Sequence, residues 1–298
     1  MSRPRILLLL STTSYKAEDF LAAADAAGAE VVVGSDHEQV LAELVPGTAL
    51  RVAFDRIDAS VGEIEALARE RPLDAVVAAE DEGALLAAAA SASLGLPHNP
   101  HGAVRAARDK ALTRERLDAA GVPCPRWRLL SEDDDPEEVA ASLPYPLVLK
   151  PRSLSASRGV IRVDGPDAFA AAFERVARIL GEAEPTRTAG IEGPGLLVEE
   201  YVPGEEVAVE GLLTDGELRI LAVFDKPDPL EGPFFEETLF VTPSRKHPRV
   251  LEQIAETTRA TAEALGLRHG PVHAELRVSE GRTVPLEVAP RTIGGRCA

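Results

Sequence analysis

Short apolar runs alternate with longer Ala-rich or amphipathic stretches over the first hundred residues of the chain. The runs have the length of buried strands, and the longer stretches end in glycine, as helices often do. The predicted strands cover residues 6–10, 30–33, 50–54 and 75–78, and the predicted helices cover residues 17–27, 37–44 and 82–94. This alternation predicts a parallel, doubly wound sheet.

The remainder of the chain divides into two further units. The first has a helix over residues 109–120, strands over 147–150 and 160–163, and an amphipathic helix over 166–180. An irregular connector over 182–195 follows, and the last unit has strands over 196–200, 207–213, 219–225 and 239–241 and a helix over 249–265. We therefore expect an α/β protein that is α+β in its C-terminal part, with units at 1–100, 101–195 and 196–298.

A predicted hairpin closes the chain and carries two glutamates. Its strands are residues 272–278 and 285–291, and a three-residue turn would place Glu275 directly opposite Glu287. Two carboxylates ~5 Å apart at an effective dielectric of ~20 repel each other by roughly 3 kcal/mol, and a divalent cation would reverse that cost. Because Mg²⁺ favours one or two carboxylates together with phosphate oxygens, the hairpin is either a metal–nucleotide platform or a solvated hairpin with unrelated surface glutamates.

Composition limits the partners of the chain. The 298 residues carry a net charge of −17, which argues against nucleic acid or an anionic membrane as the main partner but leaves room for a nucleotide in a local basic pocket. The apolar run at 6–10 is too short for a signal peptide, and no run approaches the ~20 residues of a membrane span. Cys124 and Cys297 have no metal-site spacing, so we expect a cytoplasmic protein.

Lysine is rare in this chain. Only five of the 32 basic residues are lysines, so a lysine that is retained indicates a position where a compact ammonium group is required. The five are Lys16, Lys110, Lys150, Lys226 and Lys246.

Two of these lysines lie in segments that suit phosphate binding. Lys150 ends an apolar strand, where a buried ammonium is costly without an anionic partner. The small polar residues that follow suit a phosphate-covering turn, although they lack P-loop spacing and an ordinary hairpin loop is the alternative. Lys110 follows Asp109 at a helix start, a position that an ordinary surface lysine also fits. Residues 196–206 form a strand that leaves the core through an acidic hinge, where exposed backbone groups could read an adenine edge.

In this order, the segments resemble the ATP-grasp superfamily over nearly the whole chain. The resemblance rests on Asp109-Lys110, on Lys150-Pro151 with its small-residue loop, on the hinge at 199–206, and on Glu275 and Glu287 followed by Arg291. Residues 225–230, 234–237 and 287–297 are similar to the branch that contains amino-acid ligases and related carboxylate–amine ligases. The resemblance implies a Rossmann-like (pre-ATP-grasp) domain at 1–100, a small lobe with a linker helix at 101–195, and a large lobe at 196–298.

The resemblance also implies a role for each motif residue. Lys110 and Lys150 would contact the ATP phosphates, together with Ser157 in the loop between the strands. Glu199 would accept from the adenine amino group, the backbone of Tyr201 and Val202 would read the ring, and Glu206 would hold the ribose. Lys226 would reach the γ-phosphate, and Arg291 would bind the substrate carboxylate or the acyl phosphate. Glu275 and Glu287 would hold one or two Mg²⁺ ions, with Mn²⁺ as an alternative.

The sequence departs from the pattern of its relatives in three places. Ala289 stands where many relatives carry an asparagine that binds a second ion, which puts that second metal site in doubt. The phosphate loop is Ser-rich with Gly159 as its single glycine. The chain ends at Ala298, soon after the last motif, whereas relatives of this branch usually continue, so we expect a C-terminally truncated large lobe.

The resemblance implies a ligase that phosphorylates a substrate carboxylate with ATP and couples the acyl phosphate to an amine. The expected substrates are small carboxylates and amines, with amino acids favoured, and a homodimer is in keeping with the resemblance. No nucleophile–histidine pair is apparent, and we expect His273 to pack on the hairpin rather than act as a base. The alternatives are a nucleotide-binding module without turnover and a bicarbonate-activating enzyme similar to biotin carboxylase.

Overall fold

The part of the chain that the structure describes forms three four-stranded sheets, each packed against helices. The computed structural model describes residues 3–12, 14–37, 48–183, 191, 195–279 and 281–295. Within these ranges no helix combines the length and the apolar character needed to cross a bilayer.

The N-terminal sheet is parallel and has helices on both faces. Its strands run in the order β3-β2-β1-β4. Leu8 of β1 packs towards Phe20 of α1 on one face, whereas Leu7 packs with Ile64 of α2 and Leu86 of α3 on the other, which confirms the predicted doubly wound architecture. The elements are β1 (Arg5–Leu9), α1 (Ala17–Ala26), β2 (Glu30–Ser35), β3 (Ala49–Arg51), α2 (Ile57–Glu70), β4 (Ala75–Ala78) and α3 (Asp81–Ser93).

Two features of this unit differ from the sequence prediction. Helix α2 was not predicted, and the strand expected over 50–54 is reduced to β3, because only three residues of this edge strand pair with β2. Beyond His37, the helix predicted over 37–44 lies outside the described residues.

The second sheet is antiparallel, in the order β5-β8-β6-β7. Helix α7 packs Phe169, Phe173 and Val176 against it. Strand β8 lies between β5 and β6, so this sheet extends past the boundary expected at residue 195. Its elements are β5 (Trp127–Leu130), α6 (Pro136–Ala141), β6 (Leu147–Pro151), β7 (Ile161–Val163), α7 (Pro166–Gly181) and β8 (Leu196–Glu200). Neither β5 nor α6 was predicted.

Two helices connect the first and second sheets. They are α4 (His101–Arg108), which was not predicted, and α5 (Lys110–Ala120). Asp109 separates them with an extended backbone, and its side chain accepts hydrogen bonds from the backbone N–H groups of Ala111 and Leu112. This N-cap starts α5 afresh and places Lys110 at its first position.

The third sheet is antiparallel, in the order β10-β9-β11-β12. Its elements are β9 (Glu205–Thr214), β10 (Glu217–Lys226), α8 (Pro248–Leu265), β11 (Gly270–Ser279) and β12 (Arg282–Ala289). Val209 and Val272 on one face of this sheet form a core with residues of α4, α5 and α8, among them Ile254 of α8. The strand predicted over 239–241 is a single bridge between Val241 and Asp225, because the chain passes the edge of β10 at one point only.

The closing hairpin pairs Glu275 with Glu287 as expected, although by a different route. The predicted three-residue turn is wrong, since Ser279 pairs with Arg282 rather than with Thr283. That register would place Glu275 opposite Leu286. A β-bulge inserts Leu286 as an extra residue, and this insertion restores the Glu275–Glu287 pairing.

Residues 227–241, which we call the strap, run from β10 across to the second sheet. Phe234 forms an isolated bridge with Ile161 of β7, and the backbone N–H of Arg162 donates to the Pro233 carbonyl over 2.8 Å. The strap therefore contacts both antiparallel sheets and covers the space between them.

Candidate active site

A cavity of about 490 Å³ lies where the three sheets meet. Ten of the eleven residues that the sequence analysis assigned to the site line it, and the eleventh, Lys226, contacts three of the lining carboxylates. The ten are Lys110, Lys150, Ser157, Glu199, Tyr201, Val202, Glu206, Glu275, Glu287 and Arg291. Their individual roles stay predictions.

A buried ion-pair cluster occupies the end of the cavity beside the hinge. Glu199 accepts from Arg114 Nε at 2.7 Å through one oxygen and pairs with Lys150 Nζ at 2.7 Å through the other. Burial alone would raise the pKa of Glu199, but the charges of Arg114 and Lys150 lower it to about 2. Burial lowers the pKa of Lys150 to about 8, in spite of Glu199. The sequence analysis missed Arg114, because its partner is 85 residues away along the chain.

Lys110 connects helix α5 to the small-residue loop after β6. Its Nζ donates to the Leu154 carbonyl at 2.6 Å and lies 3.5 Å from Glu287. Asp109 supports this link, because its carboxylate pairs with both Nε and Nη2 of Arg152, at 2.6 and 2.7 Å. A bidentate pair of this kind fixes geometry as well as adding energy.

The loop itself holds two non-glycine residues in a left-handed conformation. Ala156 has φ of 58° and Ser157 has φ of 52°. Each such residue costs of the order of 1 kcal/mol, and strain of this kind collects at ligand-binding loops. Ser157 therefore lies in a loop whose backbone conformation is unfavourable for its own residues and must be held by the surrounding structure.

Lys226 lies among three carboxylates. Its Nζ is 2.7 Å from Glu206 and 3.0 Å from Glu275, and it also contacts Glu237. Burial lowers the pKa of Lys226, but Glu275, Glu206 and Glu237 together raise it above its usual value. Burial and the charge of Glu275 raise the pKa of Glu237 to about 7. The sequence analysis did not identify Glu237, although it lies in a segment that resembled the ligase branch.

Two groups of carboxylates in the cavity could hold a divalent ion. One is the facing pair Glu275 and Glu287. The other is Glu206, Glu237 and Glu275, which can each place one oxygen within 4.8 Å of the others. Glu275 belongs to both groups, and its pKa lies well below the usual value because Lys226 and His273 outweigh the effect of burial. Carboxylate oxygens are the donors that Mg²⁺ and Mn²⁺ accept, so the residues present fit such an ion.

His273 lies between two carboxylates. Its Nδ1 is 2.6 Å from Glu210 and its Nε2 is 3.5 Å from Glu275. Burial lowers the pKa of His273, but the hydrogen bonds to Glu210 and Glu275 raise it to about 9. The imidazole is therefore charged at neutral pH and orients Glu275, which is in keeping with the expectation that it is not a base.

The N-terminal sheet contributes the opposite end of the cavity. Arg291 Nε is 2.8 Å from Asp81 at the start of α3. Burial lowers the pKa of Arg291, but Asp81, with smaller contributions from Glu287 and Glu275, raises it overall. Further residues of this unit that the sequence analysis did not assign to the site also line the cavity, namely Tyr15, Lys16, Glu80 and Glu82.

Comparison with known families agrees with this geometry. Residues 143–298 match the profile of the ATP-grasp domain, and residues 21–98 match that of the ATP-grasp N-terminal domain. The first match covers more than half of the chain. The chain therefore belongs to the ATP-grasp family, as its motifs predicted.

Curated relatives of the chain include several ligases. It is 30% identical to an alanine–anticapsin ligase of Bacillus amyloliquefaciens over 63% of this chain and 42% of the relative. It is 29% identical to a D-alanine–D-alanine ligase of Cupriavidus necator over 65% of this chain and 58% of the relative. The chain thus spans about half the length of these two relatives.

Solved structures show the same fold. An L-amino acid ligase from Bacillus licheniformis superposes with a TM-score of 0.76 at 24% identity, covering 98% of this chain and 68% of the other. An ADP complex of the N5-carboxyaminoimidazole ribonucleotide synthetase purK superposes with a TM-score of 0.74 at 16% identity, over 98% and 71%. The predicted fold class, a parallel N-terminal sheet followed by an ATP-grasp domain, is confirmed.

Proposed function

We propose that this protein is an ATP- and Mg²⁺-dependent ligase that joins a carboxylate to an amine through an acyl phosphate. One observation carries the proposal: the facing carboxylates Glu275 and Glu287 share a cavity with the ammonium groups of Lys110 and Lys150. Anionic ion ligands beside buried cations are what a metal-bound polyphosphate requires. The ligases among the curated relatives support the same reaction class.

The nucleotide would lie between the two antiparallel sheets. Lys110 and Lys150 would bind its phosphates, with Ser157 in the loop that covers them. The N–H of Tyr201 already donates to the Pro146 carbonyl at 3.1 Å, so adenine recognition would fall to the Tyr201 carbonyl and the backbone of Val202. Glu199 would accept from the adenine amino group, because each of its oxygens keeps a free lone pair beside its ion pair. Glu206 would hold the ribose.

Glu275 and Glu287 would hold the metal ion. Bound there, Mg²⁺ would neutralise charge on the phosphate oxygens during transfer. Lys226 lies 3.0 Å from Glu275 and so would add a further positive charge on the γ-phosphate side. Because Ala289 provides no ligand atom, any second ion would depend on Glu287 and phosphate oxygens.

The reaction would proceed in two steps. A carboxylate oxygen attacks the γ-phosphorus of ATP, which forms an acyl phosphate and breaks the bond to the β-phosphate oxygen, releasing ADP. The amine nitrogen then attacks the acyl carbon, phosphate leaves, and the nitrogen loses a proton. Both steps depend on positioning and charge stabilisation, in which Arg291 would bind the carboxylate or the acyl phosphate.

Amino acids fit the far end of the cavity as substrates. Arg291 provides a planar cation for a carboxylate, and Glu80 and Glu82 provide carboxylates for an ammonium group. Both signs of charge therefore lie together, as a zwitterion requires. The alanine–anticapsin and D-alanine–D-alanine ligases among the relatives support this substrate class.

An ADP- and phosphate-release screen over pairs of amino acids tests the proposal. We expect Mg²⁺-dependent release that requires two substrates and that Glu287→Ala abolishes while the fold is retained. Glu217→Ala is the matched control, because Glu217 is an exposed glutamate at the start of β10 outside the cavity. Full activity in Glu287→Ala would refute the site, and release that depends on bicarbonate alone would favour the carboxylase alternative.

A second candidate is a nucleotide-binding module without turnover. Ala289 favours it, since this buried residue of β12 supplies no oxygen beside Glu287. Such a module would bind Mg²⁺–ATP with the same residues and release no ADP with any pair of amino acids.

A further inference from the structure

A buried lysine lies at the end of the cavity opposite the nucleotide residues. Lys16 immediately precedes α1, is 5% exposed and lines the cavity. Its Nζ is 2.8 Å from the Ile293 carbonyl, 3.3 Å from both oxygens of Thr292 and 3.4 Å from the Ala79 carbonyl. All of these partners are neutral, and among the described residues no carboxylate lies within ion-pair distance of it.

A buried ammonium group surrounded only by neutral oxygens is an unbalanced charge. Burial lowers the pKa of Lys16, and Arg291 lowers it further, while the charges of Glu80, Asp81 and Glu210 act against them. Asp81 and Glu210 already pair with cationic groups, and Glu80 accepts a hydrogen bond from a neutral hydroxyl. Asp81 pairs with Arg291 at 2.8 Å, Glu210 contacts His273 at 2.6 Å, and Glu80 accepts from the Ser11 hydroxyl at 2.9 Å.

The position of Lys16 indicates which of the two substrate carboxylates it binds. Lys110 lies 3.5 Å from Glu287 and Lys226 lies 3.0 Å from Glu275. Lys16 instead contacts Ala79 and the segment that follows Arg291. The carboxylate that is phosphorylated must lie beside the metal, which favours Lys16 as the site of a second carboxylate.

We propose that Lys16 binds the carboxylate that is not activated, namely the free carboxylate of the amine-donating amino acid. By giving up its long contacts at 3.3–3.4 Å, the ammonium group would provide donors for one end of that carboxylate, together with the Thr292 hydroxyl. Tyr15, half-exposed beside it, accepts from the Gly295 N–H at 2.6 Å and provides an aromatic wall for the substrate side chain. This inference rests on the proposed ligase function, because only a peptide-forming reaction leaves one carboxylate free.

Binding of amino acids and of their amides tests the proposal directly. The full chain, with Mg²⁺ and a non-hydrolysable ATP analogue, is titrated calorimetrically with L-alanine, L-leucine and L-phenylalanine and with the corresponding amides. We expect the wild type to bind at least one acid about 10-fold more tightly than its amide, the effect of one charge-assisted hydrogen bond. Equal binding of acids and amides by the wild type overturns the proposal, and so does binding of none of the acids.

Two variants separate carboxylate binding from a structural role. Lys16→Gln keeps a donor for the Thr292 and Ile293 carbonyls but loses the charge, so its preference for acid over amide should be about fivefold smaller than that of the wild type, and Arg291 accounts for what remains. Lys16→Arg keeps the charge and should retain the preference. If Lys16 only links the N-terminal unit to the segment after β12, Lys16→Gln weakens the binding of acids and of amides by the same factor, and the proposal fails.

One control variant tests the loss of a different lysine, and a second measurement covers the case in which Lys16→Gln does not fold. Lys246→Met tests the loss of a lysine that pairs with Glu205 and Asp225 away from the cavity, and it should leave the preference unchanged. If Lys16→Gln does not fold, as its unfolding temperature would show, the wild type and Lys16→Arg still decide the question. Loss of the preference in Lys16→Arg would then overturn the proposal.

ADP release, measured separately, distinguishes the two hypotheses. A chain that prefers acids but releases no ADP with any amino-acid pair refutes the ligase function and, with it, the identity of the ligand as a co-substrate. A chain that releases ADP but shows no preference refutes the role of Lys16 alone.

Discussion

The Nη2 atom of Arg114 donates a 2.7 Å hydrogen bond to the carbonyl oxygen of Leu286. Leu286 is the extra residue that lets Glu275 face Glu287, and the Nε of the same guanidinium holds Glu199 at 2.7 Å. Arg114 is fully buried. One side chain of α5 therefore connects the hinge strand β8 to the register of the carboxylate pair.

Replacement of Arg114 by methionine should affect both stability and metal binding. It leaves Glu199 with Lys150 as its remaining cation and the Leu286 carbonyl without the Arg114 donor, and each lost charge-assisted hydrogen bond costs about 1.5–3 kcal/mol. We expect that decrease in the free energy of unfolding in urea, together with weaker Mg²⁺ binding because the bulge at Leu286 loses its donor. Arg128→Met, at an exposed position of β5, is the control. An Arg114→Met variant that is as stable as this control would contradict the argument.

Magnesium should stabilise the protein only when both hairpin glutamates are charged. Addition of Mg²⁺ and ADP should raise the unfolding temperature of the wild type, whereas Glu287→Gln should show no metal-dependent increase. Without metal, Glu287→Gln should be about as stable as the wild type, since it relieves the repulsion by Glu275 but also loses the ion pair with Lys110. Differential scanning fluorimetry measures both effects, and a metal response in Glu287→Gln equal to that of the wild type would count against the site.

ATP affinity should fall as the pH rises through about 8. Burial lowers the pKa of Lys150 to about 8, so the ammonium form that binds phosphate is lost above that pH. The apparent dissociation constant should then rise by up to about tenfold per pH unit. Lys150→Arg retains its charge throughout this range and should remove the dependence, which isolates it from the titration of His273. If the dissociation constant of ATP depends on pH in the same way in Lys150→Arg, Lys150 is not the cause of that dependence.

Glu199 should make the native state sensitive to acid over a defined range. Its pKa falls from 4.5 to about 2 on folding, because Arg114 and Lys150 outweigh the effect of burial. A carboxylate with a lowered native pKa stabilises the folded state above about pH 4.5, and this contribution, about 3 kcal/mol, is lost as the pH falls towards 2. Urea unfolding of the wild type at several pH values should show the loss. In Glu199→Gln the free energy of unfolding should depend less steeply on pH over the same range.

The sequence was informative where structure and chemistry follow from local pattern. Strands β4 and β8 have the predicted bounds, since each is a short apolar run. Helix α2 was overlooked although Ile57, Val61 and Ile64 carry a helical spacing, so a signal was present. Strand β5 is a four-residue edge strand whose pairing with β8 gives no local signal.

Within the site, too, the sequence was informative for local motifs and not for contacts between residues far apart along the chain. Lys110, Lys150, Glu275 and Glu287 could be predicted to lie at one site because each belongs to a recognisable segment. The turn of the hairpin could not, because the bulge at Leu286 depends on a donor 172 residues away. Lys16 was marked only as one of five lysines, and its contact with Ile293 spans 277 residues.

The strap links the two antiparallel sheets that border the cavity. At one end Leu230 accepts from Arg277 of β11, and at the other Glu231 and Pro233 accept from Arg162 of β7. Because hydrogen bonds hold the strap to both β7 and β11, these two strands cannot separate at this point unless one of the attachments breaks. The strap therefore limits how far the two sheets can move apart around the cavity that they border.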